Sequence, residues 1–493
     1  MQSTLTWAFL LGYGFFIFQV VQRTTPDRVS AREFFEGQSA QGQAPGLWLL
    51  VSSAAISWIF AKSIDNAASL GNAFGILGGV GYAIYYLSFV TAAIAIYWIR
   101  VKGGFSSLPD FLVHRYGGLC AKLFLLAIGI RLLNEVWSNT KVFSLYFGPE
   151  GSAGYWLAAL VVTAFTVYYS LWGGLRSSLL TDGAQMLLAA FLLIVILVTL
   201  GPGLAQNVTS VMAVDSDTQL AGLTFCGLAA VQIFSYPFHD PVLTDRGFIT
   251  SPKVMVKGFI WAGVISGGFI LLFSAVGLYS RAYGLEGSPS LAVPQLFGLP
   301  MLLIFNVIML TSAGSTLDST FSSVAKWAGR DWFNYRGQPT ESQARWGRWA
   351  MVAIAILGNI PLLSIYMGDQ VGPAVIRATT ISGTMVMGLA PIFLLAFWIP
   401  GGTLSFHLAF WPGFLCGVLR VIEGATGTAI FPDWMALGGG KYALDLGVNL
   451  YGLLLCCGGY GLGSIVAPYR SQPASDPLEP REPEDSDNSP KSL

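Results

Sequence analysis

Residues 47–65 read LWLLVSSAAISWIFAKSID, and the reading of this stretch decides the fold. It begins as an apolar helix suited to a bilayer. It then collects Ser52, Ser53 and Ser57 and sets Lys62 and Asp65 about one helical turn apart. An ionisable side chain at membrane depth costs roughly 2.5–3.5 kcal/mol even on insertion-based scales, so it marks a site that handles something. The stretch predicts a membrane span with a functional centre rather than a plain anchor.

Working outward, composition agrees. Hydrophobic residues make up 54% of the 493 residues and charged residues 11%, against roughly 25% charged residues in soluble domains. Mean hydropathy is +0.62. The chain is expected to be an all-α polytopic membrane protein whose surface meets the lipid bilayer. Net charge is zero and no basic stripe is present, so nucleic acid is not an expected partner. The cysteines Cys120, Cys226, Cys416, Cys456 and Cys457 lack metal-ligand spacing and read as small core residues. An embedded enzyme is not expected: His114, His239 and His407 form no paired metal motif, and no nucleophile motif is present. A channel stays open as the rival class.

A span needs about 20 apolar residues. Candidates lie near 5–21, 46–65, 74–99, 118–147, 153–171, 178–200, 220–245, 254–280, 299–328, 347–367, 372–398, 404–424 and 443–467, about 13 in all. The first lacks a basic leader and a small-residue cleavage site, so it reads as a true helix rather than a signal peptide. Lys and Arg crowd alternate loops: Arg23, Arg28 and Arg32, then Arg100, Lys102, Arg115 and Lys122, then Arg176, with further sets around 246–257 and 326–348. The opposite loops hold little beyond Arg281, Arg377 and Lys441. This bias predicts a cell-membrane protein with its N-terminus outside and its C-terminus in the cytoplasm. Residues 1–467 form one transmembrane domain in this reading. The Pro-rich, acidic remainder, 468–493, is expected to be a disordered cytoplasmic tail.

Few charges fall inside the spans: Lys62, Asp65, Arg131, Glu135, Lys141, Asp182, Asp240, Asp318 and Arg420. Arg131 and Glu135 are four apart on one helix, where a structural ion pair and a ligand contact are both open readings. His239 and Asp240 lie between Pro237 and Pro241, and proline must break that span because it removes a donor and clashes with the preceding turn. Broken helices at membrane depth persist where they are buried in protein or line a cavity. Glu135 and Asp240 are therefore substrate-binding candidates.

Two further motifs carry a family resemblance. Residues 169–185, YSLWGGLRSSLLTDGAQ, end one span, turn at Gly173 and Gly174, and open the next with Thr181, Asp182 and Gln185. Residues 311–323, TSAGSTLDSTFSS, carry eight hydroxyls in thirteen positions, too many for a lipid-facing helix. Both strings resemble the sodium:solute symporter family, and PFHDPVLTDR at 237–246 resembles its broken sixth core helix more loosely.

The resemblance covers nearly the whole chain. It implies a leucine-transporter-like core of two inverted five-helix repeats, here about 46–200 and 220–398, with one extra helix before and two after. It implies a sodium ion held by backbone carbonyls of Ile56, Ile59 and Ser312 and by the hydroxyls of Ser315 and Thr316. Neutral oxygens suit such a hard cation. On that reading the helix at 47–65 contributes carbonyls rather than its serines. Asp182 is implied as an ion-pathway residue, with a carboxylate favoured by a helix N-terminus as the alternative. Substrate contacts are implied at Lys62 and Ser63, where several members carry a neutral or acidic residue instead of lysine. The implied activity is sodium-coupled import of a small polar organic solute by alternating access, with a carboxylate or amino acid as the expected class. Urea-type, sugar-type and proton-coupled or sodium-independent transport stay open, as does the oligomeric state. Lys62 itself admits three roles: binding an anionic substrate group, neutralisation by Asp65, Glu135 or Asp240, or replacement of the cation.

Overall fold

The computed structural model describes residues 2–25, 29–333, 337–368, 371, 375–376, 379–380 and 382–469. Among the described residues the chain is helical, with one isolated bridge between Gly401 and Pro468 and no strand. The tail expected to be disordered lies, from residue 470 on, outside the described residues.

The chain opens with α1 (Gln2–Thr24) and the short α2 (Ala31–Glu36). α2 starts at a capping box between Ser30 and Glu33 and stops at Gly37, φ 64°. The deciding stretch forms two helices, α3 (Leu47–Trp58) and α4 (Ala61–Phe74), bent by 61° at the break. Next come α5 (Ile76–Ile84), α6 (Ser88–Val101), α7 (Leu108–Tyr116), α8 (Gly118–Ser144) and α9 (Ala153–Gln206). α9 runs for 54 residues with one non-helical position, Gly174 at φ 55° and ψ −138°. A Cβ there would sit 2.5 Å from the Phe34 carbonyl oxygen, so glycine is required both by backbone angle and by the seating of α2. The turn expected at Gly173 and Gly174 is thus one residue wide.

The second half begins with α10 (Val208–Met212), α11 (Ser216–Gln232), a 3₁₀ turn at Tyr236–His239, and α12 (Pro241–Arg246). The two prolines act as expected: the helix is interrupted, and Pro241 occupies the first turn of α12 behind an Asp240 cap. Then follow α13 (Pro252–Phe273), α14 (Ala275–Ala282), α15 (Pro289–Phe297), α16 (Leu299–Gly329), α17 (Glu341–Leu357), α18 (Thr403–Thr426) and α19 (Ala443–Val466).

Eight helices among the described residues are long and apolar enough to cross a membrane, nine with the bent α3–α4 pair taken as one. Of the 13 expected spans, 153–171 and 178–200 share the one long α9, 46–65 and 220–245 are broken into shorter helices, the latter at proline, and much of 372–398 lies outside the described residues. The outer surface is apolar: Leu187, Val198 and Ile465 are 70–81% exposed. In a multi-pass membrane protein that surface faces lipid. α16 runs through the centre, buried almost continuously from Ile308 to Ala325, and packs on α3, α8, α9 and α17. α18 and α19 pack chiefly on each other at the side of this core.

Candidate functional site

The break in α3–α4 supplies the first part of the site. Ile59 leaves helical geometry at φ −85° and ψ 66°, and its amide is shared between the carbonyls of Ala55 and Ile56, 3.1 Å from each. A helix end leaves carbonyl lone pairs without intrahelical partners, and among the described residues one of the four is taken by a side chain: the Tyr86 hydroxyl donates to the Trp58 carbonyl at 2.8 Å. Ile56 and Ile59 are fully buried.

Across from the break, α16 presents Ser312, Ser315 and Thr316, all fully buried. The Thr316 hydroxyl donates to the Ser312 carbonyl at 2.9 Å, and the Ser315 hydroxyl donates to Asp182 Oδ1 at 2.5 Å. Each hydroxyl spends its proton on an acceptor and keeps its lone pairs for something else. The two helices are tied directly, Ser57 Oγ lying 2.9 Å from Ser319 Oγ.

Asp182 lies in the body of α9 beyond Gly174, not in the first turn of a helix. The helix dipole therefore does not explain it; Arg246 does, with Nη2 at 3.1 Å from Oδ2. Around that pair the serines of α3 take part after all. Ser53 donates to Asp182 Oδ2 at 2.5 Å and accepts from Arg246 Nε at 2.8 Å. Ser57 and Ser319 accept from Arg246 Nη2 at 3.0 and 2.7 Å. Ser52 instead returns to its own helix at the Leu49 carbonyl. A second carboxylate, Asp318, accepts from Tyr169, Ser178 and Thr181 at 2.8, 2.7 and 3.0 Å. Sequence reasoning gave Asp318, Ser53 and Ser57 no role here. The available signal was Asp318 itself, one of few charges inside a span, three residues after Ser315 and two after Thr316.

A cavity of about 400 Å³ opens beside the break and runs from Trp58 and Phe60 toward Phe225, Lys441 and Tyr442. Lys62, Ser63 and Glu135 line it; Asp240 does not. Glu135 and Asp240 are both held by Arg131: Glu135 in an ion pair one turn away, Asp240 at 3.0 Å from Nη2. Asn139 Nδ2 donates to Glu135 as well, at 3.1 Å. This triad is buried and joins α8 to the break before α12. Asp65 accepts from Ser288 and Ser290, at 2.9 and 2.5 Å.

The expectation that Asp65, Glu135 or Asp240 neutralises Lys62 is met only by Glu135, which attracts Lys62 at a distance while its contact ion pair is with Arg131. All three carboxylates have other partners, and among the described residues none forms an ion pair with it. The ammonium lies over the Trp137 ring, 5.9 Å from its centroid.

No protein-family model matches the chain. Among curated proteins it is 22% identical over 435 residues to sodium/myo-inositol cotransporter 2 of Bos taurus, covering 74% of this chain and 63% of that protein. It is 24% identical over 445 residues to sodium/glucose cotransporter 1 of Ovis aries, covering 75% and 66%. The chain thus spans just under two thirds of each relative. Among solved structures, a Na⁺-coupled sialic acid symporter in a substrate-bound outward-open state superposes with a TM-score of 0.68, 15% identity and coverage of 95% of this chain and 99% of that one. Mhp1, a nucleobase-cation-symport-1 family transporter in a closed conformation, gives 0.54, 13% identity, and 85% and 93% coverage. At these identities the two structures speak for the fold alone.

Proposed function

We propose that this member of the sodium:solute symporter family, built on the leucine-transporter-like helical fold, is a sodium-coupled transporter that imports a small polar organic solute by alternating access. The observation that carries the reading is the meeting of the broken α3–α4 pair with the hydroxyl face of α16. In this proposal sodium takes the carbonyls of Ile56, Ile59 and Ser312 and the hydroxyls of Ser315 and Thr316. Asp182, bonded to Ser315, is the next acidic group on the ion's way to the cytoplasm. The solute occupies the cavity, with Lys62 and Ser63 as contacts. Glu135 and Asp240, held by Arg131, position the wall rather than meet the solute.

Sodium would bind only where α3 and α16 are close, and a ligand shifts an equilibrium by its difference in affinity between states. Two inverted repeats, about 46–200 and 220–398, fit the placement of the breaks: the first opens with α3–α4 and the second with α11–α12. With the N-terminus outside, as the Lys and Arg bias argues, the cavity faces outward. The cytoplasmic side is then closed by Arg246 on Asp182 and by Lys326 on Asp245 and Asp331, at 2.6 and 3.0 Å.

The test needs no known solute, because an ion that binds the native state raises its apparent stability. Replacing choline chloride by sodium chloride is expected to raise the Tm of the purified protein. The Ser315→Ala, Thr316→Ala double variant is expected to lose that rise; if it keeps the full rise, the ion site is elsewhere. Counterflow in proteoliposomes separates a transporter from a channel, which cannot give it.

A further inference from the structure

The cavity beside the α3–α4 break is not walled by the broken helices and their neighbours alone. Lys441 and Tyr442, in the turn that leads into α19, line it together with residues of α4, α8 and α11. The last helix pair, which packs chiefly on itself, thus sends two side chains to the cavity's mouth.

The loop that carries them lies directly on α11. The Gly439 amide donates to Thr224 Oγ1 at 2.9 Å. A Cβ at Gly438 would meet that same oxygen at 2.2 Å, and one at Gly440 would stand 2.5 Å from the Ala221 Cβ. Gly438 and Gly440 also take φ of 83° and 72°, the left-handed region that glycine enters without steric cost. From this seat Tyr442 reaches over the mouth. Its ring lies 4.9 Å from that of Phe225 on α11 and 6.0 Å from that of Phe74 at the end of α4, and the Phe74 and Phe225 rings stack at 6.3 Å. The Lys441 ammonium stands 5.5 Å from the Phe74 centroid and 5.0 Å from that of Tyr442. Rings and a cation in this arrangement attract one another.

A second tie lies deeper. Asn449, in the second turn of α19 and fully buried, accepts from Gln232 Nε2 at 3.0 Å and donates to Thr384 Oγ1 at 2.9 Å. Gln232 in turn accepts from the Tyr85 hydroxyl at 2.6 Å, and both of these residues line the cavity. The start of α19 is therefore fixed to the cavity wall at two levels, and the opening under Tyr442 has a defined width.

We propose that the segment Gly438–Tyr442, anchored through α19, is the outer rim of the cavity, and that Tyr442 and Lys441 are specificity-determining residues that limit the size of solute admitted. This rests on the reading that the cavity is the transported solute's site.

The experiment uses the purified full chain and needs no known solute. Ser63→Cys places a thiol in the first turn of α4, away from the mouth. Its modification is followed by peptide mass with methyl methanethiosulfonate and with the larger biotinylaminoethyl methanethiosulfonate, and a cooperative thermal transition certifies the fold of each variant. In this background Tyr442→Ala is expected to speed the larger reagent at least tenfold and the methyl reagent less than twofold. Lys441→Ala is expected to speed the larger reagent by a smaller factor, and Tyr442→Phe, which keeps the ring, to leave both rates unchanged. Seating of the loop is read separately. Gly439 has an extended φ of −139°, and its Cβ would stand 3.6 Å from that of Leu220, a separation that suits a disulfide. The Gly439→Cys, Leu220→Cys chain is expected to cross-link on mild oxidation.

Tyr442→Ala speeding both reagents equally, or neither, overturns the size limit, and failure of the cross-link overturns the seating. Modification at position 63 reports access whether or not the chain couples to sodium. Size-limited access without a sodium-induced Tm rise defeats the coupling and leaves the rim standing. A sodium-induced rise with access indifferent to Tyr442 defeats the rim and leaves the coupling standing.

Discussion

Two polar regions sit in the apolar core, one on each side of the α3–α4 break, and they are built on opposite principles. In the cluster around Asp182, Arg246 and Asp318, each charged group is surrounded by partners. Arg246 makes hydrogen bonds to three serines, a carbonyl and a carboxylate, and all three charged residues are at most 1% exposed. Around the cavity the charges are shared instead: Arg131 serves both Glu135 and Asp240, Glu135 also attracts Lys62, and the N–H groups Trp58 Nε1 and Arg131 Nε lack acceptors among the described residues. The first region ties α3, α9, α12 and α16 together beside the proposed ion site, and the second lines the cavity. Satisfaction, more than charge, separates the two.

The contrast can be broken by single substitutions, taken from the largest expected effect to the smallest. Arg246→Leu removes one partner of a buried pair and strands Asp182 beside Asp318. Such losses run to about 3–5 kcal/mol. Equilibrium unfolding in detergent measures it, and a loss under about 1 kcal/mol would mean the cluster is not a closed network. Ser57→Ala removes the hydroxyl that accepts from Arg246 and meets Ser319. Interhelical hydrogen bonds in membranes are worth about 0.6 kcal/mol on average and up to about 1.7, so a loss near 1 kcal/mol is expected from the same unfolding curve.

Lys62→Met is expected to cost no more than about 1 kcal/mol, because the half-buried ammonium forms no contact ion pair among the described residues and attracts Glu135 only at a distance. A loss above about 2 kcal/mol would place Lys62 in the self-satisfied class and erase the distinction. Smallest of all, Lys141→Ala breaks an ion pair with Glu150 in which both side chains are about one third exposed. Such pairs contribute about 0–1 kcal/mol, and a Tm unchanged within error is the expected result.

Much of this architecture was legible in the chain. Pro237 and Pro241 interrupt the second half as proline chemistry requires, and the break of the deciding stretch falls at Ile59 and Phe60, where the family resemblance placed carbonyl ligands. The hydroxyl run at 311–323 is buried on α16, as its unsuitability for lipid implied. The partners of the charges were not legible. Lys62 and Asp65 are neighbours on one helix, yet Asp65 turns to Ser288 and Ser290, more than two hundred residues away in sequence. Asp182 and Arg246 lie on α9 and α12, and their pairing runs through serines of α3.

The sequence by itself determined that this is a helical membrane protein, that proline breaks its second half, and which few charges it carries into the bilayer. Those follow from composition, periodicity and proline chemistry, which act on near neighbours. Only the tertiary structure decided which charges answer one another. A buried ion pair depends on distances across helices, and residues adjacent on one helix are free to face different partners. That is how Glu135 and Asp240 came to be spent on Arg131, and why Lys62 is left facing the cavity.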